Sequence, residues 1–127
     1  MKYDVYLICP VRVATEIQKS FLMGYVNGLE SQGYKIYYPA RDTDQNDDTG
    51  SRICNDNKNA ILNSKEIHIF WDEKSIGSIF DLGIAFAYEM PLKIINIENI
   101  KLTEGKSFTN MIYDWHNLSK LEISIPS

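Results

Sequence analysis

The sequence has little of several features that would place it in a common class of protein. It contains only two cysteines, Cys9 and Cys54, which are too few for a disulfide framework or a cysteine-rich zinc site. No apolar run approaches the roughly 20 residues that a membrane-spanning helix needs. The net charge of −4 argues against a general binder of nucleic acid or of anionic membranes. We therefore expect neither a nucleic-acid polymer nor a membrane as the partner.

Several motifs of nucleotide and hydrolytic chemistry are also missing. No Walker loop and no GxGxxG follow the first predicted strand, so a nucleoside triphosphate or a dinucleotide in its usual binding mode is not expected. Hydrolase triads and metalloprotease motifs are absent. His68 lies inside an apolar strand and is interpreted as structural, whereas the sequence leaves the role of His116 open. We expect no cofactor.

The composition that is present is typical of a globular protein, with 44% apolar and 12% aromatic residues. A chain of 127 residues is long enough to bury one core, so residues 1–127 are expected to form a single domain. The first residues enter a predicted strand without a signal-peptide pattern. The two cysteines are typical of reduced thiols, and we therefore expect a cytoplasmic protein.

Apolar segments typical of strands alternate with helical segments along the chain. Residues 15–18 (Thr-Glu-Ile-Gln) form a capping box that predicts a helix beginning near residue 15, and Gly33 is expected to end it. Residues 40–50 are the most polar stretch and are predicted to form a surface loop. The predicted strands are 4–9, 35–38, 66–71, 92–97 and 121–125; further helices are predicted from about 49 or 51 to 63, from the 75–78 turn to about 89, and over 107–118.

This alternation predicts a three-layer α/β sandwich with a five-stranded parallel sheet and right-handed crossovers, in a flavodoxin- or Rossmann-like order. In such sheets ligands bind outside the carboxyl ends of the strands. Four segments should lie at that edge, and the unusual polar residues of the chain fall mostly in the first three of them. The segments are 10–15, 39–48, 72–81 and 97–105.

The stretch from Ser75 to Ala87 joins a predicted buried strand to an apolar helix that holds a single carboxylate, Asp81. Ser75, Gly77 and Ser78 stand where the helix begins, and hydroxyls, an open backbone and the helix dipole together suit a phosphate. The same residues also fit ordinary capping, because Ser78 and Asp81 match the pattern Ser-x-x-Asp. The pattern leaves both interpretations open.

Two other segments carry charged candidates. Arg12 follows the first strand just before a helix begins, where it could share a phosphate with free helix N–H groups or simply be solvated. Arg41 and Asp42 open the polar loop, whose aspartates could hold a divalent cation but lack the regular spacing of an EF-hand. We predict no metal site. We interpret the loop as binding a polar ligand, with Arg41 paired to an aspartate, and a solvated turn is the alternative.

Three motifs that follow one another in the chain resemble a known family. They are Tyr6-Leu-Ile-Cys-Pro-Val-Arg12, Asn57-x-x-Ala60-Ile61 and Ser75-Ile-Gly77-x-x-x-Asp81-Leu-Gly83-x-Ala85. Together, over about residues 4–97, they resemble the nucleoside 2-deoxyribosyltransferase superfamily. They are most similar to the branch that hydrolyses 2'-deoxynucleoside 5'-monophosphates.

The resemblance implies a role for each matched residue. The carboxylate that attacks the anomeric C1' of deoxyribose corresponds to Asp81, and the tyrosine near the reacting sugar to Tyr6. The phosphate-binding arginine and serine correspond to Arg12 and Ser75, while the transferase branch has an aspartate in place of this serine. Arg41 and the loop that follows it are expected to contact base or sugar. Homodimers or larger assemblies, in which a neighbouring subunit helps to close the pocket, are usual in the family.

Two positions differ from the family pattern. Glutamate is usual where Asp81 stands, and a misplacement of about 1 Å can cost on the order of 100-fold in rate. The family's helix-2 aspartate aligns with Asn57, with Asp56 one residue away. The resemblance implies a nucleotide N-glycosidase or a deoxyribosyltransferase-like enzyme. The alternatives are a non-catalytic nucleotide-binding sensor or sequestering module, and a protein-interaction domain that uses the same fold.

Overall fold

The computed structural model describes residues 1–123, in which four parallel strands form one sheet. The strands are β1 (Tyr3–Ile8), β2 (Ile36–Tyr37), β3 (Ser64–Ile69) and β4 (Leu92–Ile94). Their order across the sheet is β2-β1-β3-β4. In this flavodoxin-like order the topological switch point lies between β1 and β3, and sheets of this kind bind ligands at the carboxyl ends of the strands beside that point.

Helices connect the strands and begin largely where the sequence predicts. Thr15 forms the predicted capping box with Gln18, and Ser107 caps the last helix. The polar loop differs, because Pro39 begins a short helix at its start. None of the described helices is long and apolar enough to cross a membrane. The helices are α1 (Glu16–Ser31), α2 (Pro39–Asp42), α3 (Ser51–Leu62), α4 (Ile76–Ala87) and α5 (Phe108–Leu118), with a 3-10 turn at Ile97–Asn99.

Apolar residues fill the space on both faces of the sheet, which confirms an α/β fold with a parallel sheet flanked by helices. Successive residues of a strand point to opposite faces. In β1, Val5 and Leu7 contact the cluster under α1, whereas Tyr6 and Ile8 belong to the cluster under α3, α4 and α5. The alternation therefore sends Tyr6 towards α4.

The described sheet has four strands, and not the five that the sequence predicts. Side chains of the last helical segment occupy the outer edge of β4. The backbone N–H of Leu92 donates to Ser119 Oγ and that of Ile94 to His116 Nδ1, each over 2.9 Å. Because these outward N–H groups of β4 already have acceptors, another strand cannot form a ladder of hydrogen bonds along this edge. In the predicted strand 121–125, residues 121–123 are not in a strand, and the last two lie outside the described residues.

His68 is structural, as the sequence predicts. Its ring is fully buried on the α1 face, where Nε2 lies 2.7 Å from Glu66 Oε1 and Nδ1 lies 2.6 Å from the hydroxyl of Tyr25. Burial lowers the pKa of His68, and the Glu66 carboxylate opposes that shift. A neutral ring that donates to Glu66 from Nε2 accepts the Tyr25 proton at Nδ1. Because Glu66 also accepts the backbone N–H of Glu122, the network connects β3 to α1 and to the C-terminal segment.

Candidate active site

Tyr6 and Asp81 meet between the sheet and α4. The hydroxyl of Tyr6 donates to Asp81 Oδ2 over 2.8 Å. Tyr6 is fully buried and Asp81 is 9% exposed. Helix geometry places Asp81 there, because the residues of α4 that point inward are Ser78, Asp81, Leu82 and Ala85, spaced three or four apart. The carboxylate is thus part of the buried face of the helix.

Burial controls the protonation of this pair. Loss of hydration raises the pKa of Asp81 to about 6, and the hydrogen bond from Tyr6 acts in the opposite direction. Burial and the Asp81 charge raise the pKa of Tyr6 well above its usual value, and the same two causes raise the pKa of Cys9 to about 12. Near pH 7 the site therefore holds one carboxylate beside a protonated phenol and a protonated thiol.

The second oxygen of Asp81 is available to a ligand. Within residues 1–123, Oδ1 makes no hydrogen bond, since Tyr6 is bonded to Oδ2. In the same part of the chain, no buried side-chain oxygen or nitrogen lacks a partner, so Oδ1 must reach solvent. A carboxylate that is held by one oxygen and open at the other can act as a nucleophile, as a base or as an electrostatic stabiliser.

The beginning of α4 supplies hydroxyls close to the carboxylate in sequence. Ser75 is the N-cap, and its oxygen accepts from the backbone N–H of Ser78 over 3.3 Å and from the Ser78 hydroxyl over 2.8 Å. The pattern Ser78-x-x-Asp81 therefore does not cap the helix, since both residues lie inside it. Gly77 is exposed, and the space that a side chain would occupy there is open. An anion could approach the backbone at this point.

Asn57 is connected to the Tyr6–Asp81 pair through two residues that the sequence analysis missed. Its Oδ1 accepts from the Thr43 hydroxyl over 2.7 Å, and Thr43 in turn lies 2.5 Å from the hydroxyl of Tyr37. The ring of Tyr37 stacks on that of Tyr6. Neither Tyr37 nor Thr43 stands in a motif, and only the pairing of β2 with β1 shows which face Tyr37 occupies.

Arg12 is not brought into contact with this group of residues. It is exposed in the loop after β1, and no ion pair involves it in the described residues. No hydrogen bond of the structure joins it to Ser75 or Asp81. Its predicted role as a phosphate ligand stays a prediction, and its guanidinium is free to take that role.

Arg41 and Asp42 form contacts that stabilise the fold and that do not involve Asp81. Arg41 donates to both carboxylate oxygens of Glu30 over 2.9 and 3.1 Å, and to those of Asp42 over 2.8 and 3.0 Å. Asp42, followed by Glu30, raises the pKa of the guanidinium further above its usual value. Asp42 also accepts the backbone N–H of Tyr38. These bonds connect α1 to α2, and the predicted contact of Arg41 and Asp42 with base or sugar stays a prediction.

Charged side chains of the polar loop, residues 40–50, and of the start of α3 form hydrogen bonds that stabilise this region itself. Asp47 accepts the backbone N–H of Ile53 over 3.1 Å and so caps the first turn of α3. Arg52 binds the Asp56 carboxylate over 2.7 Å and the carbonyl of Asp44. Among residues 1–123, no group of three histidine, cysteine or acidic side chains is arranged to hold a metal ion. Asp56 is therefore engaged on the surface of α3, and Asn57 is the polar residue of this helix that turns towards the site.

Comparisons with known proteins were made against family models and against curated proteins. No family model matches the sequence, and no curated protein matches it significantly. Any function must therefore be inferred from the residues and contacts described above.

Ionisation of Asp81 should destabilise the folded protein. Its pKa is about 6 in the folded state against 3.8 for an ordinary carboxyl, so the folded state holds the proton more tightly. The stability that the bound proton provides is present below pH 3.8 and is lost as the pH rises through 6, by up to about 3 kcal/mol. Urea unfolding of Asp81→Asn and wild type from pH 4 to 7 should show the variant gaining relative stability with pH.

The exposed Asp48 supplies a matched control. Asp48→Asn makes the same chemical change at an exposed position, so a stability difference that follows pH for Asp81→Asn and not for Asp48→Asn would assign the effect to the burial of Asp81. A pH-independent difference for Asp81→Asn would show that Asp81 ionises as freely as a surface carboxylate, which would contradict the assignment.

Proposed function

We propose that this protein binds a nucleoside 5'-monophosphate and acts on its N-glycosidic bond, by hydrolysis or by transfer, with Asp81 at the anomeric C1'. The observation that carries the proposal is the buried Asp81, which Tyr6 holds by one oxygen while the other oxygen reaches solvent. The proposal places the chain in the nucleoside 2-deoxyribosyltransferase superfamily. The branch that it most resembles hydrolyses 2'-deoxynucleoside 5'-monophosphates.

The chemistry follows that of a retaining glycosidase. Asp81 Oδ1 attacks C1' as the C–N bond to the base breaks, and the base departs with the electron pair and takes up a proton. Water or another base then attacks C1' and releases the Asp81 carboxylate. The pKa of about 6 leaves Asp81 mostly ionised at neutral pH, as a nucleophile requires. Tyr6 fixes the carboxylate during both steps, because its own proton is not lost near neutral pH.

The beginning of α4 and Arg12 would bind the 5'-phosphate. Ser75 accepts twice from Ser78, so the proton of the Ser75 hydroxyl remains available to a phosphate oxygen. The backbone N–H groups of the first helical turn point out of the helix end and favour an anion. The open space at Gly77 lets a phosphate approach closely. The exposed guanidinium of Arg12 would supply a positive charge that can bind a phosphate through two parallel hydrogen bonds.

A second candidate function is nucleotide binding without cleavage, as in a sensor or a sequestering protein. It is favoured because, among the residues that the structure describes, Asp81 is the one carboxylate bonded to Tyr6. Asn57 stands where the family has an aspartate, and the adjacent Asp56 is bound to Arg52. Asp81 is also one methylene shorter than the usual glutamate. In this alternative the same residues bind the nucleotide, and C1' stays beyond the reach of Asp81.

We also propose that the protein is a homodimer that associates through α4. The polar side chains of this helix, Ser78 and Asp81, are both buried, while Ile76 and Phe80, which lie one turn apart, are 83% and 56% exposed. Phe80 also lines an open groove of about 560 Å³ beside α3, which a large apolar side chain could enter.

Catalysis is tested by incubation with the ribo- and deoxyribonucleoside 5'-monophosphates, followed by chromatography of the free base. We expect release from at least one of them and a loss of at least about 1,000-fold in Asp81→Asn, because the nucleophile is removed. The control Asp114→Asn, at an exposed position of α5, should keep its activity. A monophosphate at 100 times its dissociation constant should stabilise wild type by about 2.7 kcal/mol. Stabilisation without release would favour the binding module, and neither effect would overturn both functions.

Dimerisation is tested by sedimentation velocity at tens of micromolar protein. Wild type should sediment as a dimer and Phe80→Lys as a monomer, because a buried charge in an apolar contact is costly. Ile17→Lys is the control, since Ile17 is an equally apolar residue that is 84% exposed on α1. A monomeric wild type, or dissociation caused by Ile17→Lys and not by Phe80→Lys, would contradict the assignment of the interface.

A further inference from the structure

Tyr37 occupies the position in β2 that lies directly beside Tyr6 in β1. Residues paired in neighbouring parallel strands project to the same face of the sheet. Their rings are stacked, with centroids 5.5 Å apart and planes inclined by 9°. The edge of the Tyr3 ring lies against Tyr37, with 5.1 Å between the centroids. The Tyr37 ring is therefore fixed, and so is the direction in which its hydroxyl points.

That hydroxyl begins a chain of hydrogen bonds with a defined direction. The single proton of Thr43 Oγ1 is donated to Asn57 Oδ1 over 2.7 Å. The bond of 2.5 Å between Tyr37 and Thr43 must then use the Tyr37 proton. Thr43 is only 5% exposed, so water does not compete freely for these groups. The chain ends by fixing Oδ1 of Asn57 as an acceptor.

The other half of the Asn57 amide is left without a partner in residues 1–123. An amide whose oxygen is held in one direction presents its NH₂ group in the opposite direction. No buried side-chain nitrogen in the described residues lacks a partner, so this NH₂ group reaches solvent. It is thus a fixed donor, connected through Tyr37 to the tyrosine that holds Asp81.

We propose that Tyr37 and Thr43 are positioning residues that orient the Asn57 amide towards a hydroxyl of the bound sugar. The inference rests on the proposed function for the identity of the ligand, but the orientation of the amide belongs to the ligand-free protein. The Tyr37 ring stacks on Tyr6 and so fixes the position of this donor relative to Tyr6. Tyr6 in turn holds Asp81 by a hydrogen bond. Tyr37 therefore connects the two polar groups that would face the sugar, because its ring stacks on Tyr6 and its hydroxyl bonds to Thr43.

The ligand-free protein tests the orientation through the side-chain NH₂ signals of Asn57 in ¹⁵N–¹H spectra, identified by their loss in Asn57→Ala. Thr43→Val keeps the shape of the side chain and removes the donor. We expect it to move these signals towards those of a solvated asparagine, and Thr43→Ser to restore them. The signals of the exposed Asn59 should stay in place. Unchanged Asn57 signals in folded Thr43→Val would overturn the proposal.

Tyr37→Phe is the second variant, in case Thr43→Val does not fold. It retains the stacked ring and removes the proton that Thr43 accepts, so we expect an intermediate displacement of the Asn57 signals. If Thr43 rotates its own proton away from Asn57 in that variant, the displacement should equal that in Thr43→Val. No displacement at all would overturn the proposal as well.

Binding of the four 2'-deoxynucleoside 5'-monophosphates tests the use of the amide. Thr43→Val should weaken the affinity of the best binder about three- to tenfold, the effect of one lost hydrogen bond, and Thr43→Ser should restore it to within about twofold. A role in stability alone predicts a lower melting temperature with unchanged affinity, and that result would overturn the proposal. If wild type binds none of the four and none of the corresponding ribonucleotides, the proposed function fails, while the spectra still decide the orientation of Asn57.

Discussion

The hydrogen bond between Tyr6 and Asp81 is the constraint on which the site depends. A carboxylate under an apolar sheet face loses most of its hydration, and one donor of fixed direction compensates for part of that loss. The donor can reach it only if the alternation of β1 sends Tyr6 to the α4 face and if α4 begins at Ile76, so that Asp81 points inward. A change of one residue in either element would turn one partner away.

The arrangement of polar and apolar side chains around α4 accounts for both its buried carboxylate and its exposed apolar face. Its polar side chains point inward, where Ser78 bonds to the N-cap and Asp81 to Tyr6. Its outward face is left with apolar side chains such as Phe80. An ordinary surface helix has the opposite arrangement, with its charged face in solvent. The proposed sugar site therefore lies on the inward face of α4 and the proposed dimer contact on its outward face.

Sequence patterns within a few residues predicted much of the fold. Contacts between residues that are distant in sequence determined the rest. Thr15 begins α1 because a capping box is complete within four residues. The sequence did not show that the described sheet would lack the fifth strand. The edge of β4 is occupied by His116 and Ser119, which are distant from β4 in sequence. Tyr37 and Thr43 were missed for the same reason, since their relation to the site depends on strand register. The sequence predicted that Arg41 pairs with an aspartate, which Asp42 confirms, but it did not show that Glu30 of α1 also lies beside Arg41.

The most direct test of the central claim is a crystal structure of Asp81→Asn with the 2'-deoxynucleoside 5'-monophosphate that binds best. The isosteric amide should keep the pocket intact and prevent turnover. We expect the side chain at position 81 to face C1' at about 3 to 3.5 Å, the separation of reacting atoms. We also expect the phosphate to lie at Ser75 and Arg12. A nucleotide bound away from the Tyr6 pair, or one whose base and not its sugar faces position 81, would contradict it.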